Sequence, residues 1–510
     1  MYLKEIFLAI TLFIGLVACS KDNAPSLEDW PDDYVPRIYP QPTTGWVGDV
    51  MPYFYDGKFE IFFLHDATDK EKQRSAGQHP VHKFTTTSLV DYHYAGEMIP
   101  YGSVNTQYHL IGTGSTVRVD DTFHFYFTGH NGSNSWLQNN NPGWVSNNNR
   151  EAVMLATSTD LNSWTQRDDF LLKAPEGYSG FDFRDPHVFY NDEFGEYWLL
   201  VSTQQNGKGV LLLFTSDDPS SATWEPVGPL DVEGDYLMLE CADIFKMGDL
   251  YYLVFAEDWS DSPGTHYRIA HSSKGPWRKP ASGQDMFDGH QFYAAKTASD
   301  GDKRYAFAWA HRRRPENNSG ECTWAGNLIV HEIVRQDDGS LGVRIPDEVQ
   351  QHFVDAKAVQ LTTKSNNVTE NGEELILDAN ANPAELQFEE IKGTQRINAQ
   401  LELTNASGNI SFLFNMDEEN NESYTITFEP ERQRIAGYNL GEEMTRVPFD
   451  LQAGRTYEIS LVTDGTVCVL YVDGKVALSN RIYGMQNKSW GVRAEGTQAN
   501  LSAIQVSNIK

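Results

Sequence analysis

The chain has 510 residues, 12% of them aromatic, with 40 glycines and 22 prolines, which exceeds one ordinary domain and favours β structure broken by many turns. Its 71 acidic residues outnumber 40 basic ones for a net charge of −31. That surplus repels nucleic-acid phosphates and anionic lipid headgroups and leaves a neutral partner as the natural fit.

In chain order, Lys4 precedes an apolar run from Ile6 to Ala18. As a helix it would be about 20 Å long, short of the roughly 30 Å hydrocarbon layer, so it is a leader rather than a membrane span. It ends in LVAC, a lipobox-like string that makes Cys19 the expected lipidated residue of a mature protein beginning there. Residues 1–19 are then a lipoprotein signal peptide and residues 20–38, rich in Asp and Pro, a tether. Ser20-Lys21-Asp22 is similar to an outer-surface export signal. The expected location is the bacterial cell envelope, with a lipid anchor in the outer membrane. The three other cysteines, Cys241, Cys322 and Cys468, are widely spaced and odd in number, so neither a disulfide framework nor a zinc site is implied.

Five aromatic-rich runs follow, each opened by turn punctuation: DGKFEIFFLHD from Asp56, DDTFHFYFTGH from Asp120, NDEFGEYWLLVS from Asn191, GDLYYLVFAED from Gly248 and DGDKRYAFAWAH from Asp300. Such turns between strand-like runs mark hairpins. Repetition at roughly 50 to 70 residues is the pattern of a β-propeller. The expected fold is all-β, with a five-bladed propeller over 39–346. From 350 to 510 the rhythm changes to alternating strands such as RINAQLEL, SYTITFE and TVCVLYV, with Asp464-Gly465 and Asp473-Gly474 as hairpin turns. That segment reads as a β-sandwich packed against the propeller.

Three acids recur at the head of the repeat. Asp49 comes seven residues before Asp56, Asp185 seven before Asp192, and Glu240 eight before Gly248. The first strand of each blade lines the central funnel, so the three carboxylates are expected to converge there, with Thr113 and Tyr293 at the equivalent places of blades two and five. A lone Asp near a turn is ordinarily a cap; the shared position is what singles these out. Paired carboxylates across a sugar linkage carry out glycoside hydrolysis, one protonating the leaving oxygen and the other attacking or activating water. Glu240, following Leu237-Met238-Leu239, is the expected general acid/base. Asp49 is the expected nucleophile. Asp185, beside Arg184, is the expected transition-state stabiliser, held ionised by that guanidinium. Neither a metal nor an organic cofactor is required.

At this point the residues resemble glycoside hydrolase family 32. Arg184-Asp185-Pro186 is similar to the family's RDP motif, Glu240-Cys241 to its EC motif, Phe292-Tyr293-Ala294 to its FYA segment, Trp324-Ala325-Gly326 to its WAG, and GTGST from Gly112 to the segment reading FSGS. YVDGKVALSNRIYG is close to its C-terminal phrase. The resemblance implies a retaining β-fructosidase acting on fructans or sucrose-type sugars, with the same three roles and acid and nucleophile about 5 to 5.5 Å apart. The departure is around Asp49: the family string WMNDPNG is GWVGDVMPYFYDG here, with Trp46 and Asp49 in place and Gly48 where Asn is usual.

The expected substrate contacts are Trp46, His65, Asp66, Thr113, Arg184, Cys241, Tyr293 and Trp324, with Trp259 as a further candidate. The Asn-rich insert from Asn131 to Arg150 offers Trp136 and Trp144 as stacking platforms, against a plain surface loop. His311 to Arg314 is a local basic patch, available to salt bridges or to a charged substrate end. The competing readings are a family 43-like arabinan or xylan hydrolase acting with inversion, a non-catalytic carbohydrate-binding surface lipoprotein, and a fructosyl transferase. The partner in each is an oligo- or polysaccharide.

Overall fold

The computed structural model describes residues 36–67, 78–133, 135–136, 149–221, 223–416 and 421–510. Cys19, the leader, most of the expected tether and Trp144 lie outside the described residues.

Blade one is β1 (Trp46–Tyr55), β2 (Lys58–Asp66), β3 (Val81–Thr86) and β4 (His93–Ile99). Blade two is β5 (Leu110–Val119), β6 (Thr122–His130), β7 (Glu151–Ser158) and β8 (Thr165–Gln166). Blade three follows as β9 (Phe183–Asn191), β10 (Glu196–Gln205), β11 (Lys208–Ser216) and β12 (Glu225–Pro229). Blade four is β13 (Glu240–Met247), β14 (Leu250–Glu257) and β15 (Gly264–Ala270), and blade five is β16 (Tyr293–Ser299), β17 (Arg304–Arg314) and β18 (Glu321–Arg335). Within each blade neighbouring strands pair in antiparallel order, as their tight turns require. A single bridge, Val47 to Gly326, links the first blade to the fifth and closes the ring.

The aromatic and β-branched side chains that alternate along these strands fill the spaces between blades. Phe62, Phe125 and Phe127 pack between blades one and two, Tyr126, Leu199 and Val201 between two and three, and Trp198, Leu253 and Trp277 between three and four. Such interdigitated faces bury each blade on both sides, which is why the strands read as almost continuous apolar runs.

The second part of the chain forms two antiparallel sheets. One runs in the order Val368–Asn371, Glu374–Asp378, Gln498–Ile509, Gln395–Leu403, Arg455–Asp464, Val467–Val472, Val476–Arg481, with Phe353–Ala358 also on Gln498–Ile509. The other runs Leu361–Lys364, Ala384–Glu390, Ser489–Glu495, Asn409–Phe414, Tyr424–Glu429, Arg434–Asn439, Glu442–Pro448. Their inner faces share one core that includes Leu401, Phe412, Leu461, Leu470 and Trp490. Cys468 is buried in it.

Propeller and sandwich meet through buried polar groups that satisfy one another. Asp288 accepts from His331 Nε2 at 2.8 Å and from the backbone and hydroxyl of Ser479 at 2.8 and 2.6 Å. Arg481 reaches from the sandwich to the carbonyls of Ala310 (3.0 Å) and His311 (3.1 Å) on β17. The sandwich thereby fixes the strand that carries Trp309.

Candidate active site

Every innermost strand is interrupted near its start. The ladders slip between Val47 and Val50 in β1, Gly112 and Gly114 in β5, Glu240 and Asp243 in β13, and Tyr293 and Lys296 in β16, and opposite β9 between Leu200 and Ser202. These are β-bulges, which re-aim side chains out of the pleat. Asp185, Cys241 and Ala294 each occupy the first bulge position with positive φ, +57°, +51° and +57°. Non-glycine residues rarely adopt such angles, and the cost concentrates where geometry matters.

The bulges refine the relation between the acids. Glu240 pairs with Ala256 as Arg184 pairs with Ser202 and Tyr293 with Trp309, so it stands just ahead of its bulge. Asp185 holds the first bulge position and Asp49 the second. The three carboxylates thus use three successive positions of one repeated kink rather than one position three times. The offset of eight rather than seven residues sets Glu240 apart in the sequence, whereas Asp49 and Asp185 share the offset of seven although their bulge positions differ.

Neutral donors hold Asp49. Thr113 Oγ1 donates to one oxygen at 2.7 Å and Trp309 Nε1 to the other at 3.0 Å. Burial and the neighbouring Asp185 push its carboxyl up to about 6, against hydrogen bonds from Thr113, Trp309 and Trp324. It is therefore mostly ionised at neutral pH.

Glu240 accepts from Arg184 Nη1 at 3.0 Å and from the Tyr293 hydroxyl at 3.0 Å. Burial, then the charges of Asp185 and Asp49, raise it to about 8 despite Arg184 and Tyr293. Like charges confined together cannot all ionise, and the proton rests on Glu240. Met238 and Leu239 are buried beside it as the sequence led one to expect, whereas Leu237 is exposed.

Asp185 is 4% exposed and accepts the backbone N–H of Cys241 at 3.0 Å, with Cys241 Sγ 3.7 Å away. Its own N–H donates to Thr128 Oγ1, which donates to the Thr113 carbonyl, so the bulges of blades two, three and four are tied together. Here the expectation about Arg184 needs correction. Its guanidinium donates to Glu240, Glu151 and Asp182, not to Asp185. Arg184 still favours the ionised form through space, but burial outweighs it and the Asp185 carboxyl is shifted upward.

Of the other expected contacts, Thr113, Arg184, Cys241, Tyr293 and Trp324 adjoin the three carboxylates. Trp46, His65 and Asp66 lie in a buried layer alongside. Asp66 accepts from Arg312 Nη2 at 2.8 Å, the Arg312 guanidinium lies 5.2 Å from the Trp46 ring, and His65 stacks on His82 at 3.9 Å. Two members of the basic patch are thereby structural, since Arg313 donates to the Gly320 carbonyl. Trp259 is 48% exposed, and Trp136 donates to Gln107 at 3.2 Å. The residues that the sequence did not disclose are Trp309, Glu151, Thr128 and Lys296. Glu151 braces Arg184 from the strand after the Asn-rich insert, while Lys296 Nζ bonds the Ala242 carbonyl at 2.9 Å and favours ionised Asp185. Trp309, Thr128 and Lys296 sit inside strand runs and Glu151 at the head of one, where only the ladder reveals side-chain direction. Among the described residues no group of three or more His, Cys, Asp or Glu side chains could hold a metal.

Comparison with known proteins agrees with this geometry. Residues 40–342 match the model for the glycosyl hydrolases family 32 N-terminal domain, and 339–506 match that for the GH32, BT1760-like, C-terminal domain. The chain is 28% identical to the raffinose invertase of Escherichia coli over 62% of its own length and 66% of the relative, so it spans about two thirds of that protein. It is 26% identical to the sucrose-6-phosphate hydrolase of Escherichia coli, over 70% and 72%. The GH32 β-fructofuranosidase of Bombyx mori shares its fold with a TM-score of 0.68 at 20% identity, covering 93% of this chain and 94% of that one. With the first domain match alone spanning more than half of the sequence, the chain belongs to glycosyl hydrolase family 32.

Proposed function

We propose that the protein is a retaining β-fructosidase that cleaves fructosyl linkages in fructans or sucrose-type sugars by double displacement. The observation that carries this is the placement of two differently held carboxylates on the inner strands of one funnel: Asp49 takes the neutral donors Thr113 and Trp309, while Glu240 takes Arg184 and Tyr293, and burial with the neighbouring acids raises Glu240 to about 8 and Asp49 to about 6. An Asp49 oxygen attacks the anomeric C2, the C2–O bond to the leaving group breaks, and Glu240 delivers its proton to the departing oxygen. Water then enters, Glu240 takes its proton, the water oxygen bonds C2 and the Asp49–C2 bond breaks. Asp185, oriented by the Cys241 N–H, faces the positive charge that develops on the sugar ring. Arg184 braces Glu240 and leaves Tyr293 to set its other oxygen.

The names of the curated relatives, an invertase and a sucrose-6-phosphate hydrolase, support fructosyl substrates. Fructan cleavage has support from the fold shared with the fructan 1-exohydrolase IIa of Cichorium intybus, TM-score 0.69. Both domain matches being to family 32, the family 43-like reading has no support of its own. The expected Cys19 anchor extends the proposal to an outer-membrane lipoprotein of the cell envelope. Release of fructose from sucrose, raffinose, inulin and levan tests the activity, with Asp49→Asn and Glu240→Gln as controls; no cleavage of any of them by the wild type overturns it. Cys19→Ala tests the anchor, which requires the protein to leave the membrane fraction.

A further inference from the structure

Gly48 is the residue before Asp49, and it is glycine for space. Its φ is not in the left-handed range, so conformation does not demand it. A Cβ there would lie 2.1 Å from Trp324 Cη2, 2.5 Å from Trp324 Cζ2 and 2.9 Å from the Leu64 carbonyl. The Trp324 indole therefore occupies the volume of a side chain at 48. It is wedged between Trp309, centroids 5.7 Å apart at 66°, and His79, 4.5 Å away at 31°. Trp309 in turn donates to Asp49 Oδ1 at 3.0 Å, while Thr113 holds Oδ2 at 2.7 Å.

We infer that Trp309 and Trp324 are positioning residues for the Asp49 carboxylate, and that glycine at 48 is required because it seats the Trp324 indole. The inference rests on the assignment of Asp49 as nucleophile made above. Indole N–H groups suit the task because they fix the carboxylate plane without the cation that would draw down its basicity. The charges facing Asp49 are the acids Asp185 and Glu240, with the Cys241 thiol beside them and Arg184 and Lys296 on the Asp185 side. Behind Trp309, His311 faces His290 and the Arg481 guanidinium, which is engaged by the Ala310 and His311 carbonyls. The rings behind them, His311 on Trp309 at 4.6 Å and His79 on Trp324, are both shifted downward by burial and stay neutral at working pH.

The test is the pH dependence of kcat/KM on sucrose for Trp309→Phe and Trp324→Phe, beside Asp49→Asn. Loss of a donor to the ionised carboxylate raises its pKa, so the acidic limb moves up by about one pH unit in Trp309→Phe. kcat falls about tenfold or more while KM stays within about threefold, since orientation rather than affinity is lost. A cycle of Gly48→Ala with Trp324→Ala provides a second reading. The Leu64 contact is common to both backgrounds, so the kcat loss on adding the methyl shrinks several-fold once the indole is gone. An unmoved acidic limb in folded Trp309→Phe and Trp324→Phe, with Gly48→Ala equally harmful in both backgrounds, overturns the inference while inactive Asp49→Asn leaves the nucleophile assignment standing. Wild-type turnover by Asp49→Asn overturns both. If Trp309→Phe does not fold, the half-buried Trp324 variants carry the test.

Discussion

Tyr293→Phe isolates the tuning of the acid. The phenol is buried, its own pKa is driven far upward, and it remains a donor at every working pH. It gives Glu240 Oε2 a 3.0 Å hydrogen bond that favours the ionised carboxylate and so works against the burial that keeps Glu240 protonated. A hydrogen bond to a charged partner contributes about 1.5–3 kcal/mol. At about 1.4 kcal/mol per pH unit, its loss raises Glu240 by about one to two units from its value near 8. Phenylalanine preserves the ring contacts with Trp309 (5.7 Å) and His290 (5.7 Å), so packing is kept. The assay is kcat/KM against pH, whose basic limb reports the group that must be protonated in the free enzyme. That limb is expected near pH 9 to 10 in the variant. A basic limb that stays put or moves to lower pH refutes the assignment of Glu240 as the acid held by Tyr293.

The remaining predictions concern the frame. Asp288→Ala leaves buried His331 and Ser479 without their shared acceptor and should cost about 1–3 kcal/mol per orphaned donor in denaturant unfolding, with Asp288→Asn costing less. Arg481→Met strands two carbonyls of β17 beside Trp309; about 2–5 kcal/mol of stability should go, accompanied by a fall in kcat, and a stable variant with full kcat would show that the sandwich does not reach the site. In the wild type, kcat/KM should rise with pH through about 6 as Asp49 ionises and fall through about 8 as Glu240 loses its proton. A profile flat from pH 5 to 9 contradicts that pair. Asp185→Asn keeps an acceptor for the Cys241 N–H but removes the charge, and kcat should fall by about 10² or more.

The repeat made the fold readable, because turn punctuation and aromatic runs recur once per blade and need no tertiary information. The three acids were visible for the same reason. Their exact relation was not, since a bulge shifts side-chain direction by one position without altering composition; the extra residue between Glu240 and Gly248 marks Glu240, while the equal spacing of Asp49 and Asp185 hides their difference. Arg184 illustrates the other limit. Adjacency to Asp185 implied a pair, yet the bulge turns Asp185 toward Cys241 and sends the guanidinium to Glu240 and Glu151, which is distant in sequence. Trp309 looked like one more apolar residue of AFAWAH, because nothing local says that an indole N–H meets a carboxylate 260 residues away. Gly48 stood out as a substitution in a motif, and only the place of Trp324 gives it a reason.

The central claim, displacement by Asp49 with Glu240 as acid and then base, fixes the stereochemistry of the product. Proton NMR of fructose released from sucrose or inulin in the first moments of reaction, before mutarotation, reads it directly. β-Fructose appearing first is the predicted result, and α-fructose appearing first would contradict the account.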